Sequence, residues 1–325
     1  MPLTHLEQLV DEARRLGPMR VAVAAAGDVH TLEAVKLAAE AGLLSQADLI
    51  GNRERITALA AGLGLDLSSH RVLAASDDET AARLATDLVS SGEDAFLLKG
   101  SLPTACLLKP VLAAERAHSG EGRPERLLSH VGVFEVPAYH KLMLLTDSGM
   151  VIAPTLEEKA QLIDNAACVA RALGIAQPKV AVLAAVETVN PKMPATVDAQ
   201  ALTEMARAGR FPGLVVDGPL ALDLAVSAEA ARYKGVGSPV AGDADIFLVP
   251  CIEAGNLLGK ALLHLAHGQM AGVIVGAAAP LPLVSRAESP QGKVFSLALA
   301  VLLCGNAKSP CSPKGVKPCA TTAVS

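Results

Sequence analysis

The stretch RVAVAAAGDVHTLEAVKLAAEAGLL, Arg20 to Leu44, decides the fold class. Its first eight residues are a short apolar, β-branched run ending in glycine, the signature of a buried strand. Asp28 then stands where a helix N-cap belongs, before a segment with apolar residues at helical spacing. A buried strand followed at once by a capped helix is one βα unit. The next segments repeat it: strand ADLIG and helix NRERITALAAGLGL, then helix ETAARLATDLVSSGE, strand DAFLLKGSL and helix PTACLLKPVLAAE. Successive βα units imply a mostly parallel sheet with helices on both faces, an α/β fold.

The rhythm breaks at LLSHVGVFEVP and KLMLLTDSG, two strand-like runs separated by AYH. Consecutive strands joined by a short loop pair antiparallel. A second βα series follows, from TLEEKAQLIDNAACVARALGI through PKVAVLAAVE, DAQALTEMARAG, GLVVDGPL, ADIFLVP and EAGNLLGKALLHLAHG to AGVIVGAAAP. The strand pair near 129 to 147 is therefore the expected interdomain boundary. After Cys304 the composition turns to Pro, Lys, Ser and Thr with no apolar period, and residues 305–325 read as a disordered tail.

Composition narrows the function classes. The 325 residues are 51% hydrophobic but only 2% aromatic, with no Trp, so the core is aliphatic and the rings that stack nucleic-acid bases are missing. A net charge of -5 offers no long-range attraction for nucleic acid or an anionic membrane. No apolar run reaches the roughly 18 residues of a membrane helix. MPLTHLEQLVDEARRLGP reads as an amphipathic helix rather than a secretory signal, and six scattered cysteines without a C-x-x-C pair read as reduced thiols. A cytoplasmic protein is expected.

Polar clusters follow four apolar runs: KGSLPT, DGPLALD, PCIEAGN and SRAES. In parallel α/β sheets ligands bind beyond the carboxyl ends of strands, where loop amides and helix N-termini converge. Lys99, Gly100 and Ser101 read equally as an anion cradle or as a strand-to-helix turn with a solvated lysine. GNLLGK has three residues between its glycines where a Walker loop has four, and GVGSPVAG lacks G-x-G-x-x-G spacing, so nucleotide loops are rejected. His264 and His267 lack a third metal ligand nearby and read as the polar edge of a helix. Cys106 and Cys251 read as small hydrophobes. Ser285 and Arg286 combine a hydroxyl donor with a planar fork of donors that matches phosphate.

Taken in order, LLKGSLPT, SHVGVFEVPAY, VETVNPKMPAT, VDGPLALDLAVS, SPVAGDADIFLVPCIEAGNLLGK and SRAESPQGK resemble the phosphate acetyltransferase and phosphate butyryltransferase family. The resemblance implies exchange of a short acyl group between coenzyme A and orthophosphate, with coenzyme A as substrate or product and no cofactor or metal. It implies a two-domain fold similar to isopropylmalate dehydrogenases, with domain I at 1–129 plus 280–304, domain II at 130–279, and commonly a homodimer. Ser285 and Arg286 fall on the family's catalytic pair. Lys99, Ser101, Thr104, Asp217, Asn256 and Lys260 are the expected phosphate or coenzyme A contacts. In the acetyltransferase branch an Asp base stands seven residues after the serine. Here that position is Gly292, and Glu288 is the candidate substitute, as in butyryltransferase-like relatives. Two rivals remain open: a catalytically weak acyl-CoA binding protein, and a metal-dependent dehydrogenase with Asp217, Asp223, Asp243 or Asp245 as ligands.

Overall fold

A computed structural model describes residues 1–119, 126–283 and 289–305 of the protein. The chain divides into two units, one joining Leu9–Glu125 to Ala271–Ser325 and the other joining Met1–Gln8 to Arg126–Met270. They are called here the N-terminal unit and the middle unit. No helix among the described residues is long and apolar enough to cross a membrane.

Helix α1 (Leu6–Leu16) leads into the N-terminal unit, whose four strands are β1 (Met19–Ala24), β2 (Leu44–Gly51), β3 (Arg71–Ala74) and β4 (Phe96–Lys99). They are ordered β3-β2-β1-β4 and all their pairings are parallel. Helices α2 (Val29–Glu40), α3 (Arg53–Leu63), α4 (Asp78–Ser90) and α5 (Thr104–Ser119) alternate with them, as the βα rhythm predicts. Asp28 caps α2, accepting the Thr31 amide at 3.1 Å. The helix can therefore start at the carboxyl end of β1 and bury Leu32, Val35 and Ala38. Late in the chain, β10 (Gln269–Val275) pairs antiparallel with β11 (Leu281–Leu283), and α11 (Pro290–Gly305) follows. Every residue of α11 from Gly292 to Cys304 is buried, which suits a helix that is apolar all round but for Lys293 and Ser296. Its interior Ser296 is satisfied by the Gly272 amide at 2.9 Å. Gly305, expected to open the tail, is the last residue of this helix.

The middle unit holds β5 (Ser129–Glu135), β6 (Met143–Thr146), β7 (Lys179–Leu183), β8 (Val215–Leu220) and β9 (Ile246–Leu248), in the order β5-β6-β9-β7-β8. β5 and β6 pair antiparallel, as expected from their short connection, and the remaining pairings are parallel. Helices α6 (Leu156–Ala172), α7 (Pro194–Arg207), α8 (Leu222–Val226), α9 (Ala228–Tyr233) and α10 (Ile252–His264) complete it. α6 opens with a reciprocal cap between Thr155 and Glu158. The core is aliphatic around Phe134 and Phe247.

A charged cluster is buried near the amino ends of the N-terminal unit's strands. Asp48 and Asp94, each almost fully buried, face Arg20 at 3.2 Å, and Arg71 grips Asp48 with two donors. Burial opposes ionisation of Asp48, but the hydrogen bonds from Arg71 and Gln46 hold it below the usual carboxylate range. Asp94 takes the opposite share: burial first, then the charge of Asp48, push it up to about 7 against the pull of Arg20. A carboxyl whose folded pKa is raised stabilises the fold while protonated, and that contribution is lost as pH rises toward the folded value. The variant Asp94→Asn should accordingly gain on the parent between pH 5 and pH 8, by about 1 kcal/mol or more in urea unfolding. A stability difference that does not change with pH would refute this assignment of the proton.

Candidate active site

In the N-terminal unit the KGSLPT cluster lies at the carboxyl end of β4, beside the end of β1. The Gly100 amide donates to Ala24 O at 2.8 Å, and Ser101 donates to Ala25 O through its amide at 3.0 Å and its hydroxyl at 3.2 Å. The approach is so close that a Cβ on Gly100 would sit 2.1 Å from Ala25 O. Glycine is required there for space. Lys99 Nζ donates to Gly100 O at 3.1 Å and Leu102 O at 2.9 Å, so the lysine braces the turn, and half-buried Thr104 opens α5. Lys99, Ser101 and Thr104 are thus brought together in one strand-to-helix connection.

The middle unit presents its own cluster at the carboxyl end of β6, a site that sequence reasoning missed. Asp147, 2% exposed, accepts the amides of His130 at 2.9 Å, Gly149 at 2.7 Å and Met150 at 2.8 Å. His130 Nδ1 is 2.8 Å from Ser148 Oγ, and burial lowers the histidine pKa against the charge of Asp147, which leaves a neutral ring. Asn256, in the second turn of α10, donates to Ser148 O at 3.2 Å. A Cβ on Gly255 would lie 2.4 Å from Asp147 O, so that glycine lets α10 press onto the loop. The signal that could have found this site is polar TDSG directly after an apolar strand.

Two further expected contacts, Asp217 and Lys260, sit on regular elements of the middle unit. Asp217 falls within the expected strand run GLVVDGPL: β8 continues through Gly218 and Pro219 to Leu220, so Asp217 is inside the strand, opposite Ala181. Proline is tolerated because β8 is the last strand of its sheet and no strand among the described residues pairs with its outer edge. Lys260 is exposed and lies about 12 Å along α10 from its first residue, at 1.5 Å per residue, so only Asn256 of this pair is near the strand ends. Ser285, Arg286 and Glu288, like the expected tail from 306 to 325, lie outside the described residues.

Three of the four aspartates of the dehydrogenase reading, Asp223, Asp243 and Asp245, are engaged with cations. Lys141 lies 2.8 Å from Asp243 and 2.7 Å from Asp245, Lys179 lies 2.6 Å from Asp243, and Lys234 lies 3.0 Å from Asp223. Burial opposes charge on Asp243, but Lys141, Lys179 and His140 hold its carboxyl far below the ordinary value. Among the described residues no three His, Cys, Asp or Glu side chains converge to hold a metal ion.

The profile of the family described as phosphate acetyl/butaryl transferase matches residues 79–301, more than half of the chain. The chain belongs to that family. It is 46% identical over 299 residues to the probable phosphate butyryltransferase of Bacillus subtilis (strain 168), covering 91% of this chain and 97% of the relative. It is 42% identical over 297 residues to the phosphate acetyltransferase of Thermotoga maritima, covering 91% and 99%. Among solved structures, the branched-chain phosphotransacylase from Enterococcus faecalis V583 superposes with a TM-score of 0.75 at 36% identity, covering 88% of this chain and 98% of the other. Membership embraces KGSLPT, the β6 loop and the Ser285-Arg286 dipeptide in one matched span. Acetyl and butyryl relatives lie at almost equal distance, so membership in the family does not select the acyl chain.

Proposed function

We propose that the protein is a phosphate acyltransferase, converting a short-chain acyl-CoA and orthophosphate into an acyl phosphate and free coenzyme A. The observation that carries this reading is the family match running from 79 to 301, which includes the Ser-Arg dipeptide. In the proposed mechanism a phosphate oxygen attacks the thioester carbonyl carbon, the new C–O bond forms, the C–S bond breaks, and the electron pair leaves with the thiolate. Ser285 donates to the carbonyl oxygen as negative charge develops, and Arg286 holds the phosphate by its planar fork. Lys99 and Ser101 keep the β4–α5 turn in shape. Aligning two bound reactants supplies much of the acceleration, and the route requires no metal, cofactor or covalent enzyme intermediate.

Acyl groups from acetyl to butyryl are the proposed range, in a cytoplasmic homodimer. Phosphate is already an anion near neutral pH, so the forward step makes little demand on a base. The reverse step needs the coenzyme A thiolate, and Gly292 leaves the acetyltransferase branch's base position without a carboxylate. Glu288 is the proposed alternative.

The test is loss of thioester absorbance with acetyl-, propionyl- and butyryl-CoA, with and without phosphate. Turnover that depends on phosphate and survives chelation of divalent ions is expected. A folded protein that binds coenzyme A but shows no phosphate-dependent turnover would favour the binding-protein rival.

A further inference from the structure

Helix α10 is the least covered long helix of the middle unit. Ten of the 17 residues of α6 are buried, but only Gly255 and Gly259 of the 13 in α10. None of Ile252, Leu257, Leu258, Leu262 and Leu263 is buried, although all five are large and apolar. The two glycines account for this. A Cβ on Gly255 would lie 2.4 Å from Asp147 O and one on Gly259 3.3 Å from Phe134 Cζ, so the helix lays its bare backbone on the unit and carries its large side chains to its flanks and outer face. Leu257 is two residues from either glycine, about 160° round the helix from each. It therefore stands at the centre of the outer face, 70% exposed.

A single exposed leucine needs no explanation. Here apolar residues are also exposed at both ends of the helix. Ile152, 67% exposed, accepts the Ile252 amide through its carbonyl at 2.9 Å, and Leu265, 79% exposed, follows the last helical residue, His264.

The charges beside Leu257 say what covers it. Glu253 lies four residues before it and Lys260 three after, both are exposed, and neither has an ion-pair partner among the described residues. Residues at this spacing share one face of a helix. They stand about 6 Å before Leu257 and about 4.5 Å after it along the axis. A second copy of α10 laid antiparallel, with a two-fold axis at Leu257, sets leucine on leucine and each Glu253 against Lys260 of the other copy. A parallel pairing would set glutamate on glutamate. The face is thus complementary to itself in one orientation, which is what a two-fold interface requires.

We propose that α10 is the seam of the homodimer, pairing antiparallel about Leu257 with α10 of a second copy of this chain. The inference rests on the homodimer of the reading above and adds its surface and register. Lys260, expected from the resemblance to touch phosphate or coenzyme A, is in this account a contact between copies.

The experiment uses the full chain and measures the dimer dissociation constant by sedimentation velocity over a dilution series. The parent should be a dimer. Leu257→Asp should raise the constant about 100-fold or more, because two carboxylates then meet on the axis. Glu253→Lys and Lys260→Glu should each raise it about tenfold, since symmetry applies each change twice. The double exchange restores opposite charges and should return it to within about threefold of the parent. Leu257→Cys, oxidised without denaturation, should give a dimer bridged through position 257, located by mass spectrometry of the linked peptide.

A dimer that keeps the parental constant in Leu257→Asp and forms no bridge at 257 would overturn the seam and leave the homodimer standing. A monomeric parent would overturn both. A double exchange as weak as its singles would overturn the antiparallel register. If Leu257→Asp does not fold, as judged by circular dichroism, the bridge in Leu257→Cys decides alone.

Discussion

Gly100→Ala is expected to cost about 3 kcal/mol of stability or more, the range of severe overpacking. The added Cβ would meet Ala25 O at 2.1 Å, Ala24 O at 2.6 Å and Ala25 C at 2.7 Å. All three are backbone atoms, so no side chain can swing aside. Relief requires the β1 and β4 ends to separate, which breaks the bonds from Gly100 N to Ala24 O and from Ser101 N to Ala25 O. The turn holding Lys99, Ser101 and Thr104 would move with them, and activity should fall beyond the loss of folded protein. Gly62→Ala is the matched control. It lies inside α3, nothing stands within 4 Å of the place its methyl group would take, and replacement should stabilise by roughly 0.5 to 1 kcal/mol. Denaturant midpoints of the two variants decide the matter, and a Gly100→Ala protein within about 1 kcal/mol of the parent would refute the close approach.

Ser285→Ala should lower kcat by on the order of 10²-fold or more, the effect of removing one donor to a developing oxyanion. The hydroxyl matters most where carbonyl charge is greatest, so KM should move little. Arg286→Lys should behave differently. Lysine keeps the charge but loses the two-point fit to phosphate, so phosphate KM should rise roughly tenfold and kcat should fall with it. Initial rates at varied phosphate and fixed acyl-CoA separate the two roles. A Ser285→Ala effect confined to KM would remove the serine from the oxyanion role, and an Arg286→Lys protein with parental phosphate kinetics would place phosphate elsewhere.

The α/β class is legible in the sequence because its cause is local. A buried parallel strand is an apolar run, a helix start needs a capping oxygen, and Asp28 and Thr155 supply theirs within three residues. The antiparallel β5–β6 pair is legible too, since a short connection leaves few other arrangements. Strand β3 leaves no such signal. Its four residues are half-buried or exposed, and the apolar run from Val72 to Ala74 is too short to mark a strand by itself. Helices α8 and α9, at five and six residues, are too short to show a period. The run GLVVDGPL is legible as β8 despite the turn chemistry of Gly218-Pro219, and the strand's edge position is what lets proline stand there.

For the site, the sequence by itself determined residue types in order: Lys-Gly-Ser after one strand, and Ser-Arg before the last helix. It also carried the family, because long ordered blocks hold their spacing whether or not the fold is seen. The tertiary structure decided which distant groups meet. Asp48 and Asp94 share a buried charge, Gly100 meets Ala25 across a strand pairing, and Lys293 reaches Glu33 from 260 positions away. Such contacts leave no periodic trace. Each depends on burial and on a geometry set by the whole sheet, so a lysine read as one polar residue in SPQGKVFSLALA becomes, once folded, an ammonium that must find a carboxylate.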